Sequence, residues 1–303
     1  MLRNSFLWLS QNQSLRRWME SSSFPQKLTS RFVAGLRLED GLALAKALAG
    51  EGIETALDHL GENVATVAEA KSAGDAAHEA LSGIARLGIK GSIAIKLTQL
   101  GLDLSMEECL GNLEPLVVLA KQAGTRVEVD MESTAYTERT LQVVETMHQR
   151  HGSIRAVIQA YLYRSESDIQ RLNQLGIPVR LCKGAYNEPA DLALADKQQV
   201  DEAFVRLMRI LLIDGKFPAI ATHDPAILKE AVSIAEEIDL PSSKFEFEML
   251  YGVRRDLQQK IIKQGFSLRL YVPYGEAWYP YFMRRLAERP ANVWFLLRNI
   301  LHG

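Results

Sequence analysis

The 303-residue chain has few of the features that mark specialised protein classes. It contains only two cysteines, Cys109 and Cys182, without metal-ligand spacing, so a reducing, intracellular setting is expected and a disulfide framework is not. The formal net charge is −2 and no basic stripe occurs, which gives no support for nucleic-acid binding. No apolar run reaches the roughly 20 residues of a membrane span. Neither a G-x-G-x-x-G motif nor a P-loop occurs, so the sequence does not support a Rossmann or P-loop nucleotide site.

The composition is that of a globular protein, with 47% hydrophobic and 24% charged residues. The length fits a (β/α)8 barrel of about 250 residues with an appendage. Residues 1–30 contain short apolar patterns that are compatible with amphipathic helices. We expect this segment to be a helical arm that packs on the main domain, with membrane-surface contact as the alternative. Residues 31–303 are expected to form one catalytic barrel.

Eight strand-like runs alternate with amphipathic stretches along the chain, which is the pattern of a (β/α)8 barrel. The predicted strands are 31–35, 92–97, 125–130, 154–160, 178–182, 218–223, 244–249 and 268–272. Two helical segments, near 40–50 and 62–87, are expected to separate the first two strands. The fold class is therefore α/β, a distorted (β/α)8 TIM-like barrel with a helical N-terminal arm.

Polar residues at the ends of the predicted strands are the site candidates, because active sites of such barrels lie at the carboxyl ends of the strands. Side chains alternate between the two faces of a strand, so Lys96, Asp130 and Tyr271 are expected on the face opposite their apolar neighbours. The strand-end set is Lys96, Asp130, Gln159, Arg180, Lys183, Thr222, His223, Glu248 and Tyr271.

Lys96 could act as a Schiff-base nucleophile or as a charge partner for a carboxylate. Asp130 is a short carboxylate that could hold this lysine charged and oriented. For both residues, the alternative is a structural salt bridge at the mouth of the barrel.

The run from Arg180 to Tyr186 combines an arginine and a lysine with a Gly-Ala turn. Such a turn lets the backbone approach a large planar or phosphorylated ligand, although it could also be an ordinary strand end. Thr222 and His223 precede an expected helix start at Asp224-Pro225, where an anion could bind. His223 could also be a metal ligand or a general base, but no metal is expected, because the other histidines lack a matching acidic cluster.

The segment after the last strand carries Tyr281, Arg284, Arg285 and Glu288 at spacings that share one helix face. Paired guanidinium groups at a strand-to-helix junction suit the bidentate capture of a carboxylate. A surface helix with intrahelical ion pairs is the alternative. Tyr271 at the end of the preceding strand favours a carboxylate-binding site.

Six of these segments resemble the proline dehydrogenase family, in the family's order and across nearly the whole barrel. They are Lys96-Leu-Thr98, Asp130-Met-Glu132, the 180–186 run, Ala221-Thr-His223, the 245–250 run, and Tyr271 with Arg284, Arg285 and Glu288. The length is similar to that of the monofunctional bacterial enzymes, so no aldehyde dehydrogenase domain is expected.

The resemblance implies FAD-dependent oxidation of L-proline to Δ1-pyrroline-5-carboxylate, the first step of proline catabolism to glutamate. Hydride would pass from proline C5 to flavin N5, and the electrons would then pass to a membrane quinone. The product would be handed to a separate pyrroline-5-carboxylate dehydrogenase. A cytoplasmic protein with peripheral contact at the inner face of the membrane is implied.

The resemblance also implies a role for each matching residue. Asp130 and Arg180 would be catalytic, and Arg180 would donate to the flavin near N5. The substrate would be bound by Lys96, Tyr186, Leu250, Tyr271, Arg284, Arg285 and Glu288. FAD would be bound by Met131, Gln159, Arg180, Lys183, Gly184, Ala185, Thr222 and His223. Glu62 would pair with the first arginine as a gate. The alternatives are a lysine Schiff-base aldolase barrel and another flavin barrel oxidoreductase.

Overall fold

The computed structural model describes residues 31–61 and 64–288, with side chains as far as residue 283. Eight parallel strands form a closed barrel in chain order, and β8 pairs with β1 to complete it. The strands are β1 (Glu54–His59), β2 (Gly91–Ile95), β3 (Val127–Val129), β4 (Ile154–Gln159), β5 (Val179–Cys182), β6 (Ala219–Ala221), β7 (Glu246–Leu250) and β8 (Leu268–Tyr274). The predicted (β/α)8 barrel is confirmed.

Helices surround this barrel, and one of them precedes the first strand. They are α1 (Leu38–Gly50), α2 (Val67–Leu87), α3 (Met106–Gln122), α4 (Thr134–His151), α5 (Ser165–Gln174), α6 (Lys197–Asp214), α7 (Pro225–Glu237), α8 (Arg255–Lys263) and α9 (Trp278–Glu288). A short 3-10 helix (Ser242–Lys244) precedes β7. Within residues 31–61 and 64–288, no helix is both long enough and apolar enough to cross a membrane.

The first predicted strand, 31–35, is wrong, because the structure forms no strand there and β1 lies at Glu54–His59 instead. Two backbone hydrogen bonds still tie the 31–35 segment to the end of β8, from Ala34 to Pro273 and from Gly275 to Gly35. Phe32 and Val33 belong to a hydrophobic cluster with residues of α9. Their apolar character therefore serves packing beneath the last helix. The two predicted helical segments exist, but β1 lies between them.

The alternation of side chains divides the barrel into an apolar outer layer and a polar interior. Outward-facing residues such as Ile93, Val127 and Phe247 join a continuous hydrophobic cluster with the surrounding helices. Positions one residue away carry charges that are almost wholly buried, such as Glu128 and Arg269. The hydrophobic effect therefore holds the helices on the strands, while ion pairs and hydrogen bonds fill the inside.

Candidate functional site

Asp130 is the centre of a cluster at the carboxyl ends of the strands. One of its carboxylate oxygens lies 3.7 Å from Lys96 Nζ and accepts a hydrogen bond of 2.7 Å from the Tyr271 hydroxyl. The other oxygen accepts a hydrogen bond from Arg180. The guanidinium carbon of Arg180 also lies 5.3 Å from the centre of the Tyr271 ring. Four side chains from β5, β8 and the residues that follow β2 and β3 thus meet at one point.

Lys96 is held by a second carboxylate as well, that of Asp58 on β1, at 3.5 Å. Burial alone would lower the pKa of Lys96, but the charges of Asp58 and Asp130 outweigh it and raise this pKa above its ordinary value. The lysine is therefore a fixed cation at the rim of the barrel. Its side chain is about a quarter exposed, at 24%, so it can still meet a ligand.

Tyr271 is kept as a neutral hydrogen-bond donor. Burial and the charge of Asp130 both raise the pKa of its hydroxyl well above the ordinary value. The guanidinium carbon of Arg180 lies over the face of its ring, an arrangement that stabilises a cation. The hydrogen bond to Asp130 then fixes the direction in which the ring points.

Arg180 has two further carboxylate partners beneath it, inside the barrel. Its Nη1 donates to Glu248 at 2.6 Å and to Glu128 at 3.3 Å. Burial would lower the pKa of Arg180, but Glu248, Asp130 and Glu128 together raise it well above its ordinary value. The guanidinium is therefore charged and held on three sides.

The ion network continues to the opposite end of the barrel through Arg155 and Arg269. Both arginines contact Glu246 and Glu128, and Arg269 also reaches Glu54. Carboxylate oxygens of Glu128, Glu246 and Glu248 lie within 4.8 Å of one another. The arginines already supply the positive charge at this point, so we assign these glutamates to the ion network and not to a metal site.

A second group of predicted residues lies at the ends of β4 and β5. The side-chain amide of Gln159 donates to the backbone oxygen of Glu132 at 3.0 Å and accepts from the Ala185 amide at 3.4 Å. Gly184 has a φ of +117°, and a Cβ atom there would collide with the ring of Tyr161. A glycine is therefore required where the chain turns over this tyrosine. Gln159 joins this turn to the residues that follow β3.

Lys183 and the residues after β6 form the outer part of the same region. Lys183 contacts Asp201 and lies 3.1 Å from Asp224. Asp224 caps α7 through the Ala226 amide, and Pro225 is the first helical residue, as the sequence predicts. Asp224 also donates its own amide to the Thr222 hydroxyl at 3.1 Å.

His223 is positioned by the backbone of β7. Its Nε2 lies 2.9 Å from the amide nitrogen of Leu250, so this ring nitrogen accepts the hydrogen bond. Leu250 is the last residue of β7 and packs partly against the hydrophobic cluster beneath α9. The hydrogen bond therefore joins a predicted cofactor residue to a predicted substrate residue.

The remaining predicted residues are placed as follows. Tyr186 is exposed on the loop after β5, and Met131 is buried in the main hydrophobic cluster. The backbone of α9 includes Arg284, Arg285 and Glu288. Their side chains, and the whole of Glu62, lie outside the described residues. The roles assigned to all these residues stay predictions.

Asp58 and Glu128 are site residues that the sequence interpretation did not single out. Asp58 was not predicted, because β1 was not recognised as a strand. Glu128 lies two residues before Asp130, so the alternation that points Asp130 inward also points Glu128 inward. That signal was available, and Ser92 completes the pattern with a hydrogen bond of 2.8 Å to Glu128.

A surface cavity of about 270 Å³ lies apart from this cluster, between the start of α5 and α6. Its wall includes Glu166 and Arg206, which pair with each other at 3.1 Å. The cavity is lined by none of the predicted site residues. We therefore place the candidate site at the strand ends.

The fold and the site together define a class of protein. A closed parallel barrel with cations and acids fixed at the carboxyl ends of its strands is the arrangement of a catalytic (β/α)8 barrel.

Comparison with known proteins makes this class specific. The family model described as Proline dehydrogenase matches residues 42–298. The chain is 40% identical over 302 residues to Proline dehydrogenase 1 of Bacillus subtilis subsp. natto, covering 99% of both chains. It is 36% identical over 281 residues to Proline dehydrogenase of Deinococcus radiodurans, covering 91% of both. The chain therefore belongs to the proline dehydrogenase family.

A solved structure agrees in fold. The crystal structure of proline utilization A (PutA) from Bdellovibrio bacteriovorus, inactivated by N-propargylglycine, superposes with a TM-score of 0.81 at 24% identity. The match covers 94% of this chain and 36% of that one. At this identity, the likeness shows the barrel fold alone.

Proposed function

We propose that the chain oxidises L-proline to Δ1-pyrroline-5-carboxylate with bound FAD as the electron acceptor. The observation that carries the proposal is the cluster of Lys96, Asp130, Arg180 and Tyr271 at the strand ends. These four residues come from separate segments that resemble the family, and the fold brings Lys96, Arg180 and Tyr271 into contact with Asp130. Membership of the family supports the same reaction.

The residues of the described barrel fit FAD chemically. Gly184 has no side chain and its turn packs on the ring of Tyr161, so the backbone that follows Arg180 is held in a fixed position at the strand ends. Arg180 is a permanently charged donor, and Lys183 is a cation suited to a pyrophosphate. Lys183 is paired with Asp201 and Asp224 in the structure, so binding a phosphate there requires exchanging these partners. Bound FAD would supply a two-electron acceptor.

The substrate carboxylate would be held by cations on two elements. Lys96 is kept protonated by Asp58 and Asp130, so it can offer a charge to an anion throughout the neutral pH range. The resemblance assigns Arg284 and Arg285, on α9, to the same carboxylate, and Glu288 to their orientation. Tyr186, Tyr271 and Leu250 would enclose the ring, and Glu62 would close the site as a gate.

The reaction needs positioning more than it needs a strong base. The amine first loses its proton to solvent. The C5–H bond then breaks as hydride, which would pass to the bound FAD, the nitrogen lone pair forms the C=N bond, and the iminium proton leaves to solvent. Asp130 fixes Lys96, Tyr271 and Arg180 relative to one another, so it determines where C5 lies. Arg180 would place positive charge where negative charge develops, which favours transfer electrostatically.

The fate of the electrons and the product belongs to the same proposal. We propose a membrane quinone as the final acceptor and a separate pyrroline-5-carboxylate dehydrogenase as the enzyme that receives the product. A cytoplasmic protein in peripheral contact with the inner face of the membrane fits this chemistry.

The geometry disfavours the Schiff-base alternative. A lysine nucleophile must be neutral to attack a carbonyl, and enzymes achieve this by lowering its pKa. The two carboxylates around Lys96 act in the opposite direction and raise its pKa. Borohydride should therefore trap no carbonyl substrate on this lysine.

The experiment is an anaerobic absorption spectrum of the purified protein before and after L-proline is added. Bleaching of the visible flavin band supports both cofactor and substrate. A flavin band that proline leaves unchanged would refute the substrate and favour another flavin barrel oxidoreductase. A protein that binds no FAD after reconstitution would refute the proposal as a whole.

A further inference from the structure

Among the three carboxylates around Arg180, Glu248 has the fewest partners that offset its negative charge. Asp130 is also held by Lys96 and Tyr271. Glu128 is also held by Ser92 and lies 3.5 Å from both Arg155 and Arg269.

Glu248 has one ion-pair partner in the described part of the chain, Arg180, which contacts Oε1 at 2.6 Å. Its Oε2 is buried and has no hydrogen-bond partner among the described residues. Arg180 therefore shares its charge among three acids, and Oε2 of Glu248 is an oxygen that can take a proton without breaking a contact.

We propose that Glu248 is a positioning residue whose protonation controls how much of the charge of Arg180 reaches the bound cofactor. In this way Glu248 adds to the pH dependence of the cofactor's midpoint potential. The inference rests on the proposed function, because it concerns FAD beside Arg180.

The surroundings of Glu248 and Glu128 shift the pKa values of these two residues in opposite directions. Burial raises the pKa of Glu248 to about 7, and neighbouring Glu128 acts in the same direction, while Arg180 opposes both. Burial also disfavours the charge on Glu128, but Arg155, Arg180 and Arg269 outweigh it and lower its pKa to about 2. Glu128 therefore stays ionised where Glu248 changes its charge.

The groups that act on Glu248 come from several elements of the barrel. They are Arg180 on β5, Glu128 on β3, Arg155 on β4 and Glu246 on β7, while its register neighbours are Ala221 on β6 and Arg269 on β8. Within this set, no other carboxylate has its pKa raised towards neutrality.

Ionisation of Glu248 opposes reduction of the cofactor. Receiving a hydride adds negative charge beside Arg180, and an ionised Glu248 adds another negative charge on that same guanidinium. The potential should therefore fall as pH rises through the titration of Glu248. By linkage, reduction strengthens the hold of Glu248 on its proton by the same factor.

The test is a redox titration of the FAD-loaded protein from pH 6 to pH 9, comparing the wild type with Glu248→Gln. Glutamine copies the neutral form in shape, so we expect equal potentials at pH 6 and a higher potential for the variant at pH 8. Around neutrality, the wild type should change its reduction equilibrium by up to tenfold more per pH unit, about 30 mV for two electrons. The matched control is Glu128→Gln, which removes a carboxylate on the same nitrogen that stays ionised over this range. Its potentials should be displaced and should still show the bend caused by Glu248, but at lower pH, because Glu128 is one of the groups that raise the pKa of Glu248.

A second measurement does not need the cofactor. Infrared difference spectra of the cofactor-free protein between pH 6 and pH 8 should show loss of a protonated carboxyl band, and this band should be absent in Glu248→Gln. A protein that binds FAD and is bleached by proline, but whose wild-type and Glu248→Gln slopes are identical, would overturn this inference and leave the proposed function intact. A protein that binds no FAD would overturn both.

Discussion

The buried ion network can be tested by replacing Arg155 with methionine. The side chain of Arg155 is fully buried, contacts Glu246 and Glu128, and donates to the backbone oxygen of Phe217 at 3.1 Å. Methionine fills much of the same volume but leaves two carboxylates without one of their cations. Breaking a buried ion pair by removing one partner costs about 3–5 kcal/mol.

The lower end of that range applies here, because both glutamates keep Arg269 as a partner. An unfolding entropy of ~2.1 cal/mol/K per residue gives ~0.6 kcal/mol per degree for 303 residues. A loss of ~3 kcal/mol should therefore lower the melting temperature by ~5 °C.

The assay is thermal unfolding by circular dichroism, supported by urea titration. Arg206→Met is the matched control, because Arg206 is 59% exposed on the surface and has Glu166 as its one ion-pair partner among the described residues. An exposed pair contributes at most about 1 kcal/mol, so this variant should melt within about 2 °C of the wild type. If Arg155→Met melts no lower than Arg206→Met, the network does not stabilise the barrel and the reasoning is refuted.

Three further predictions concern the site and the interior. Lys96→Met should raise the KM for proline by about tenfold or more, because an anion loses a charged partner, whereas the exposed Lys46→Met on α1 should not change it. Steady-state kinetics decide this, and equal KM values would exclude Lys96 from substrate binding. Glu246→Gln should make the free energy of unfolding less dependent on pH below 4.5. Arginines hold the pKa of Glu246 below its ordinary value of 4.5 despite burial, so its contribution to stability is present above that pH and is lost as the pH falls. If the urea midpoints of the wild type and of Glu246→Gln change equally between pH 7 and pH 3, this prediction is wrong. Gly184→Ala should weaken FAD binding and cost about 1–3 kcal/mol of stability through strain and the collision with Tyr161, whereas Gly111→Ala, with open space around it, should be neutral or stabilising. Equal flavin content and melting temperature in the two variants would rule out the role of this turn.

The sequence could predict the strand-end cluster because two simple regularities converge there. Alternation along a strand tells which residues face inward, and the carboxyl ends of parallel strands share one rim of a barrel. Lys96, Asp130 and Tyr271 were each predicted to lie opposite their apolar neighbours, and the structure brings them together.

β1 could not be found by the same reasoning. It carries Glu54, Asp58 and His59, and it lacks the run of β-branched and aromatic residues that usually indicates a strand. The segment 31–35 offered a stronger apolar signal, which packing against α9 explains. Closure of the barrel decides between the two, since only Glu54–His59 pairs with both β2 and β8.

The sequence pattern also could not predict which residues pair with the buried charges. Charged side chains are rarely buried unless they are paired, and the pairs here join residues far apart in sequence, such as Arg155 with Glu246 and Arg269 with Glu54. Their burial depends on several strands at once. A single strand can show that a charge points inward, but the fold is needed to show what neutralises it.

The charges at the rim explain why the described residues do not complete an anion site. Lys96 and Arg180 are the cations of the cluster, and they already contact four carboxylates, those of Asp58, Asp130, Glu128 and Glu248. An amino acid carboxylate that entered this cluster would add an unpaired negative charge to a partly buried site, which is costly. Further cations are therefore required, and α9 begins shortly after β8, the strand that carries Tyr271. Arg284 and Arg285 are on that helix, so the charge balance of the rim provides an independent reason to expect them at the substrate.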